Sequence, residues 1–284
     1  MTFQRLALAA ALSLCAALPT PMAMAAGGAA GADAALPADS RLEVAMALYA
    51  GGVSLGKVDL DATVRGSEYR LVSHLQTGGV VNAFWKATIQ ATSSGSIGAK
   101  QLAPSLYDSF TIRPDGQKQQ ISLTYDDHMP KLFAEPAYTL TGYEVKPDEQ
   151  KNTFDPLSAA MSIISGALAQ NGDGCNITAP VFDGRRRYNV EMAKVRDIDI
   201  RMDSGLYRGR GLLCSLHYRQ IAGYKPRLLA DKDTYPPINV WMVSFKSGNR
   251  TYLVPLKVWA DTRFGTVTAL ATSLKVDGAP PRAS

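Results

Sequence analysis

The sequence is poor in histidine and cysteine, with three of each among its 284 residues. His74, His128 and His217 lie in separate segments, and their spacing does not match that of a zinc site. Asp126–His128 offers oxygen and nitrogen ligands, but adjacent polar residues before a proline are more typical of a solvated turn. Asn171–Gly174 lacks the alternating acids and the closing glutamate of a calcium loop. The sequence therefore predicts no metal site.

The short motifs that identify common enzymes are also missing. No G-x-S-x-G string is present that would place a serine on a strand-to-helix turn. Ser94–Gly98 is rich in glycine but lacks the following lysine of a phosphate-binding loop, and it is typical of a hairpin tip. We therefore expect no cofactor, assign no catalytic residue and favour a non-enzymatic role.

Long apolar runs are absent after the N-terminus, so we expect no membrane-spanning segment in the mature chain. At the N-terminus, Arg5 precedes a predominantly apolar run from Leu6 to Leu18. This order is typical of a secretory signal peptide, and Ala23-Met24-Ala25 satisfies the small-residue requirement of signal peptidase. We predict a signal peptide over residues 1–25, with cleavage before Ala26.

The rest of the chain is predicted to form a single β-rich domain over residues 40–277. Residues 26–39 are mostly alanine, glycine and proline, with too few large apolar groups to offset the entropy of ordering, and are expected to form a flexible leader. Residues 278–284 form a polar tail. The formal charge of +5 falls by one unit when Arg5 is removed. Such a mildly basic chain predicts no nucleic-acid partner.

Cys175 and Cys214 are the two cysteines that remain once the signal peptide is removed. An even pair in an exported chain favours a disulfide. Two buried thiols or a redox pair are the alternatives, although the C-x-x-C spacing typical of redox cycling is absent. Cys15 lies inside the apolar run after Leu14, where a lipidation signal needs a small residue, so we expect no lipidation.

Alternating apolar residues predict antiparallel strands along most of the domain. Gly51-Gly52 and Pro114-Asp115-Gly116 mark two of the turns. Residues 80–92 are ambiguous, because their apolar residues also fit helical spacing, and we favour a strand. The other predicted strands cover residues 42–48, 58–64, 69–75, 105–113, 118–125, 186–195, 212–220, 238–245, 251–260 and 265–276.

One segment has helical periodicity instead. Asp155 is a suitable N-cap, and Pro156 fits the first helical position because its missing N–H would have no partner there. Gly172 and Gly174 are expected to end this helix. The predicted fold class is therefore all-β or β-dominated: a curved antiparallel meander or barrel-like sheet with one main helix near 155–170.

The most distinctive string is Val181-Phe182-Asp183-Gly184-Arg185-Arg186-Arg187-Tyr188. Asp-Gly predicts a tight turn, and three consecutive arginines alternate between two faces if a strand follows. Arg185, Arg186 and Arg187 are therefore the candidate ligand-binding residues, since one would face inward, toward an anionic headgroup, a carboxylate ligand or an internal acid. A solvated turn with stacked arginines is the alternative.

The chain resembles a bacterial family known as domain of unknown function 3108, over about residues 41–276. The strings that carry the resemblance are the arginine string, Asp155–Ala159, Cys214 with Tyr218 and Ile221–Tyr224, and Pro255–Gly265. The resemblance implies an exported, β-rich protein of the envelope of Gram-negative bacteria, and hence a periplasmic location. The family has no agreed catalytic residues, so no active site is carried over.

Three functions are compatible with these features. The first is a periplasmic protein that holds a lipid or another amphipathic small molecule on its curved sheet, with the helix covering the concave face. The second is an envelope interaction or assembly factor that binds other proteins through a strand edge or through the arginine cluster. A hydrolase with a site assembled from distant positions is the third.

Overall fold

The computed structural model describes residues 39–79, 86–98, 100–113, 115–169, 174–230, 235–248, 250–263 and 265–280. The predicted signal peptide, and the predicted leader as far as residue 38, lie outside these residues. The strands are β1 Ser40–Ala50, β2 Val53–Arg65, β3 Glu68–Thr77, β4 Thr88–Ile97, β5 Leu102–Ile112, β6 Lys118–Asp126, β7 Met129–Glu135, β8 Ile177–Phe182, β9 Arg187–Arg201, β10 Arg208–Ala222, β11 Ile238–Ser247, β12 Arg250–Thr262 and β13 Gly265–Val276. The helices are α1 Pro147–Gln150, α2 Pro156–Ile164 and α3 Pro226–Ala230. Within the described residues, no helix has the length and apolar character needed to span a membrane.

All of the described strands belong to one antiparallel sheet, in the order β7-β6-β5-β4-β3-β2-β1-β13-β12-β11-β10-β9-β8. Neighbours in the chain are therefore neighbours in the sheet, except that β1 pairs with β13 and that β7 and β8 lie at opposite ends. The predicted β-dominated meander is confirmed. Among the described residues no ladder joins β7 to β8, so the sheet does not close into a barrel.

The first hairpin shows why these residues form strands. In β1, Leu42, Val44 and Met46 are buried, and the residues between them are more exposed, as expected when one face of a strand packs on the core. Gly51 and Gly52 then turn the chain with φ angles of 53° and 84°. Glycine adopts these angles without the steric cost of a Cβ atom, so the predicted turn is confirmed.

Helix α2 lies on the concave side of the sheet. It contacts β3, β4 and β5 in one half of the strand order and β8 and β12 in the other half, so the sheet curls around it. Ala159, Met161 and Ile164 are buried, and the last two join the main apolar cluster together with residues of β1 and β12. The helix therefore fills the concave side, whereas the sequence led us to expect that it would cover an open face.

The N-terminus of α2 is where the sequence predicts it, with Asp155 as the N-cap and Pro156 as the first residue. The helix is shorter than the predicted 155–170. It ends at Ile164, because the chain turns immediately afterwards and Gly166 has a φ of 66°. A positive φ close after the last turn is a common way for a helix to stop.

The fourth strand differs from the prediction at both of its ends. β4 begins only at Thr88, and the beginning of the predicted strand at 80–92 lies outside the described residues. The expected hairpin tip at 94–98 is wrong, because nearly all of it lies within β4. A Cβ atom on Gly95 would lie 2.2 Å from the carbonyl oxygen of Ala103. Glycine is therefore present here for a close approach of two strands, not for a turn.

Two strands, β7 and β8, are absent from the sequence-based prediction. Each contains a proline, Pro130 in β7 and Pro180 in β8. Proline removes one backbone N–H donor and is found in sheets mainly on edge strands. Both strands lie at the ends of the sheet order, where a missing N–H donor is tolerated.

The predicted disulfide between Cys175 and Cys214 is confirmed, with 6.1 Å between the two Cα atoms. Cys175 lies just before β8, and Cys214 lies in β10, so the bridge crosses β9. Both cysteines are fully buried in an apolar cluster with Ile177, Met192 and Val240. The bridge therefore ties the start of an edge strand to the interior of the sheet.

Candidate functional site

The turn between β8 and β9 carries the predicted arginines. Asp183 organises this turn, since its Oδ1 atom accepts the backbone N–H of Arg185 at 2.9 Å and that of Arg186 at 2.7 Å. Gly184 has a φ of 91°, which other residues rarely adopt. Burial raises the pKa of the Asp183 carboxyl, and the two N–H groups act in the opposite direction. The predicted Asp-Gly turn is therefore present.

Two glycines allow this turn to pack against both halves of the sheet. A Cβ atom on Gly184 would lie 2.9 Å from Cγ2 of Ile121 in β6. One on Gly223, which follows β10 and has a φ of 83°, would lie 2.4 Å from the carbonyl oxygen of Arg185. Two of the strings that carry the family resemblance therefore meet at this turn.

Arg185 and Arg186 do not face inward, and both are exposed. Strand alternation does not apply to them, because β9 begins only at Arg187. The Arg185 guanidinium carbon lies 5.2 Å from the ring centroid of Tyr138, and that of Arg186 lies 5.5 Å from the ring centroid of Tyr224. These distances are typical of cation–π contacts, so each guanidinium rests on an aromatic ring.

Arg187 has a different environment. It is half-buried, and its Nη1 atom donates to the carbonyl oxygen of Tyr188 at 2.6 Å and to Oδ1 of Asn189 at 2.7 Å. Burial, followed by the positive charge of Arg219, lowers its pKa. The side chain is therefore engaged in local structure, which leaves Arg185 and Arg186 as the arginines open to a ligand.

A cleft with a volume of about 480 Å³ lies beside the arginine turn. We call it the β7 cleft; its apolar wall includes Leu132, Phe133, Leu140 and Phe182, and Arg185 also lines it. Phe133 is 52% exposed and Leu140 is 82% exposed. Large apolar side chains that stay this exposed around a concavity are typical of a binding surface.

Glu144 also lines the β7 cleft. Its Oε1 atom accepts two hydrogen bonds from Thr141, one from the backbone N–H and one from the hydroxyl at 2.8 Å. The same atom also accepts the backbone N–H of Gly142 at 3.1 Å. These hydrogen bonds, the backbone N–H of Thr141 first, lower the pKa of Glu144 to about 2. The carboxylate is therefore ionised at neutral pH, but its own loop uses most of its acceptor positions.

A cluster of hydrogen-bonded polar side chains lies inside the fold, where the concave side of the sheet meets the start of α2. Asp155 accepts the hydroxyls of Ser158 and, at 3.1 Å, Ser93. The hydroxyls of Tyr69 and Ser158 are 2.6 Å apart. We call these four residues the Asp155 cluster. All four are buried, so the cluster has no opening for a substrate and instead attaches α2 to β3 and β4.

The histidines do not converge on a site. His74 lies in β3, and His128 lies in the turn between β6 and β7. Ser215 Oγ and His217 Nε2 are 3.2 Å apart on an exposed part of β10, and neither lines the β7 cleft. The described residues contain no group of three or more His, Cys, Asp or Glu side chains that is arranged to hold a metal ion.

Sequence reasoning found the arginines but missed the rings beneath them. Tyr138 comes from the segment between β7 and α1, and Tyr224 follows β10, so no local spacing connects either ring to the arginine string. The one available signal was the Ile221–Tyr224 string, which the resemblance included without indicating a role. Aromatic residues do accompany the basic cluster, but they converge on it only in the folded chain.

Comparisons with known proteins agree with this architecture. The family model described as "Protein of unknown function (DUF3108)" matches residues 44–272. No curated protein matches the chain. The fold is similar to the crystal structure of a beta-barrel-like protein of domain of unknown function DUF1849 from Brucella abortus, with 11% sequence identity, a TM-score of 0.51 and coverage of 85% of this chain and 98% of that chain. At this identity, the likeness concerns the fold alone.

Proposed function

Because the chain belongs to the DUF3108 family, whose description names no activity, we propose a function from the geometry of the β7 cleft. The protein is exported to the periplasm and holds an amphipathic ligand, with the apolar part of the ligand in the cleft and an anionic group at Arg185. The buried disulfide supports export, since such bonds persist in oxidising compartments. A lipid or an envelope intermediate fits this description.

The observation that carries the proposal is the position of a cation at the side of an apolar cleft. Leu132, Phe133 and Leu140 offer a surface for a hydrocarbon chain, and Arg185 lines the same space. The volume lies within the range of about 300–1,000 Å³ that is common for small-molecule sites. Apolar walls supply affinity, and a few polar groups orient the ligand.

The Arg185 guanidinium is available to a ligand. None of the ion pairs found among the described residues includes it, and the Tyr138 ring supports one face of the planar group. A guanidinium held in this way keeps its N–H groups free for a carboxylate or a phosphate. Glu144 does not compete strongly, because its acceptor positions are used by Thr141 and Gly142.

The test is calorimetric titration of the full chain with decanoate and with decanol, which share a hydrocarbon chain and differ in charge. We expect decanoate to bind at least about tenfold more tightly, because a hydrogen bond to a charged group contributes about 1.5–3 kcal/mol. Arg185→Glu should abolish this preference. Arg196→Glu, which changes an exposed arginine of β9 outside the cleft, should leave it unchanged.

Either of two results would contradict the proposal. One is that neither compound binds. The other is that Arg185→Glu binds decanoate as tightly as the unsubstituted chain does. NMR chemical-shift changes on titration locate the bound ligand, and they should concentrate at residues 132–145 and at the arginine turn.

A second candidate function, protein binding through a sheet edge, is supported by the difference between the two end strands. The β8 edge is covered in part by Phe154, whose N–H donates to the Pro180 carbonyl oxygen and whose carbonyl oxygen accepts the Phe182 N–H, both at 2.8 Å. In β7, no described strand pairs with the edge that faces away from β6. An open edge of this kind can receive a strand from another protein.

This second function is tested with a photo-crosslinking amino acid introduced in the producing bacterium. Placed at Lys131 in β7, it should give a discrete covalent product with another protein. Placed at Pro180 in β8, whose carbonyl oxygen already accepts the Phe154 N–H, it should not, because that part of the edge is shielded. Equal products from the two positions, or none from Lys131, would count against binding through the β7 edge.

A further inference from the structure

A lysine lies between two tryptophan rings on another part of the sheet. Lys257 in β12 pairs with Trp241 in β11, and Trp259 lies two residues further along β12. Residues related in this way share a face of the sheet. The Lys257 Nζ atom is 4.9 Å from the centroid of each ring. The two rings are 5.7 Å apart and are inclined at 76°.

The ammonium group of Lys257 has no acidic partner in the part of the chain that the structure describes. None of the ion pairs found there includes it. Two cation–π contacts compensate part of its desolvation but do not neutralise its charge. They also restrict a side chain that is otherwise flexible, so a ligand that binds it has less conformational entropy to remove.

Lys257 lines a cavity of about 500 Å³. Trp241 and Tyr49 give it aromatic walls, and Arg201, Asp203 and Ser204 add polar groups from the end of β9 and the turn that follows. The cavity shares no lining residue with the β7 cleft. It is therefore a separate site, and its occupancy does not depend on the function proposed above.

We propose that this cavity binds an acidic sugar, of the uronic acid class. The carboxylate pairs with Lys257, the ring carbons lie against Trp241, and the hydroxyls contact Asp203 and Ser204. An uncharged sugar leaves the ammonium unpaired, and an aromatic acid leaves the polar side of the cavity without partners. The assignment therefore rests on a cation, an aromatic wall and polar groups that can hydrogen-bond to hydroxyls, all lining the same cavity.

The test compares glucuronate, glucose and benzoate as ligands of the full chain, with binding measured by tryptophan fluorescence and by NMR of the indole N–H signals. Glucuronate should bind at least about tenfold more tightly than glucose or benzoate, because only glucuronate satisfies both the cation and the polar groups. Lys257→Met should remove this preference, whereas Lys257→Arg should retain most of it. Lys246→Met, at an exposed position of β11, is the matched control and should bind like the unsubstituted chain.

Three outcomes would overturn the assignment. They are no binding of glucuronate, equal binding of benzoate, or unchanged glucuronate binding by Lys257→Met. Circular dichroism and thermal unfolding of the Lys257 variants distinguish lost binding from lost folding. If Lys257→Met does not fold, the comparison of the three ligands on the unsubstituted chain still tests whether the cavity prefers an acidic sugar.

Discussion

Asp155→Ala should lower the free energy of unfolding by about 3 kcal/mol. The change removes an N-cap, whose loss, including that of the acceptor for two backbone N–H donors, costs about 1 kcal/mol, and it takes the carboxylate acceptor away from two buried hydroxyl donors, at about 1 kcal/mol or more each. The donors are the backbone N–H groups of Leu157 and Ser158, at 3.0 and 2.9 Å from Oδ1, together with the hydroxyls of Ser93 and Ser158. Urea unfolding of the two proteins at pH 7 measures the difference.

Asp155→Asn should have a much smaller effect, of about 1 kcal/mol, because the amide oxygen still caps the helix and the amide N–H groups can donate to the serine oxygens. Asp199→Ala, which removes an exposed carboxylate in β9, provides a control with an expected change of less than about 0.5 kcal/mol. If Asp155→Ala were no more damaging than this control, the Asp155 cluster would not be what holds α2 in place.

The difference in stability between the unsubstituted chain and Asp155→Asn should depend on pH, and its sign follows from the pKa of Asp155. Burial raises the pKa of Asp155 in the folded chain above the value of about 3.9 in an unfolded chain, so the folded state binds this proton more tightly. The resulting stabilisation is fully present below the unfolded pKa and is lost as pH rises through the folded pKa. The unsubstituted chain should therefore gain stability relative to Asp155→Asn as the pH is lowered from 7 to 4.

The start of α2 shows how far the sequence could predict this fold. Asp155 and Pro156 are adjacent, and capping acts within a few residues, so the N-terminus of the helix was predictable from local chemistry. Ser93 and Tyr69 lie 62 and 89 residues from their partners in the cluster. Nothing in their own neighbourhoods indicates that contact, because only the curling of the sheet around α2 brings β3 and β4 to the helix.

The arginine turn likewise combines a backbone set by local residues with contacts from distant parts of the chain. The Asp-Gly pair predicts its backbone, since turn chemistry is local. The predicted alternation of the three arginines applies only to Arg187, which is half-buried, because β9 begins at that residue. The rings beneath Arg185 and Arg186 come from two other segments. The arginines of the candidate site were therefore predictable, but the apolar lining of the β7 cleft and the rings that support the arginines were not.

Cys175→Ala should lower the free energy of unfolding by about 4 kcal/mol, and so should Cys214→Ala. The bridge joins residues separated by 39 positions, and for a loop of this length the chain-entropy estimate is about 4 kcal/mol, acting mainly through the unfolded state. Urea unfolding under non-reducing conditions measures each single variant and the double variant.

Reduction of the unsubstituted chain separates loop closure from loss of packing, because it opens the loop without truncating either side chain. If the bridge acts by closing the loop, the reduced chain should lose about 4 kcal/mol, as much as either alanine variant. If the alanine variants lose stability mainly through contacts in the apolar cluster around the two cysteines, the reduced chain should lose less than about 1 kcal/mol, because both side chains are still present.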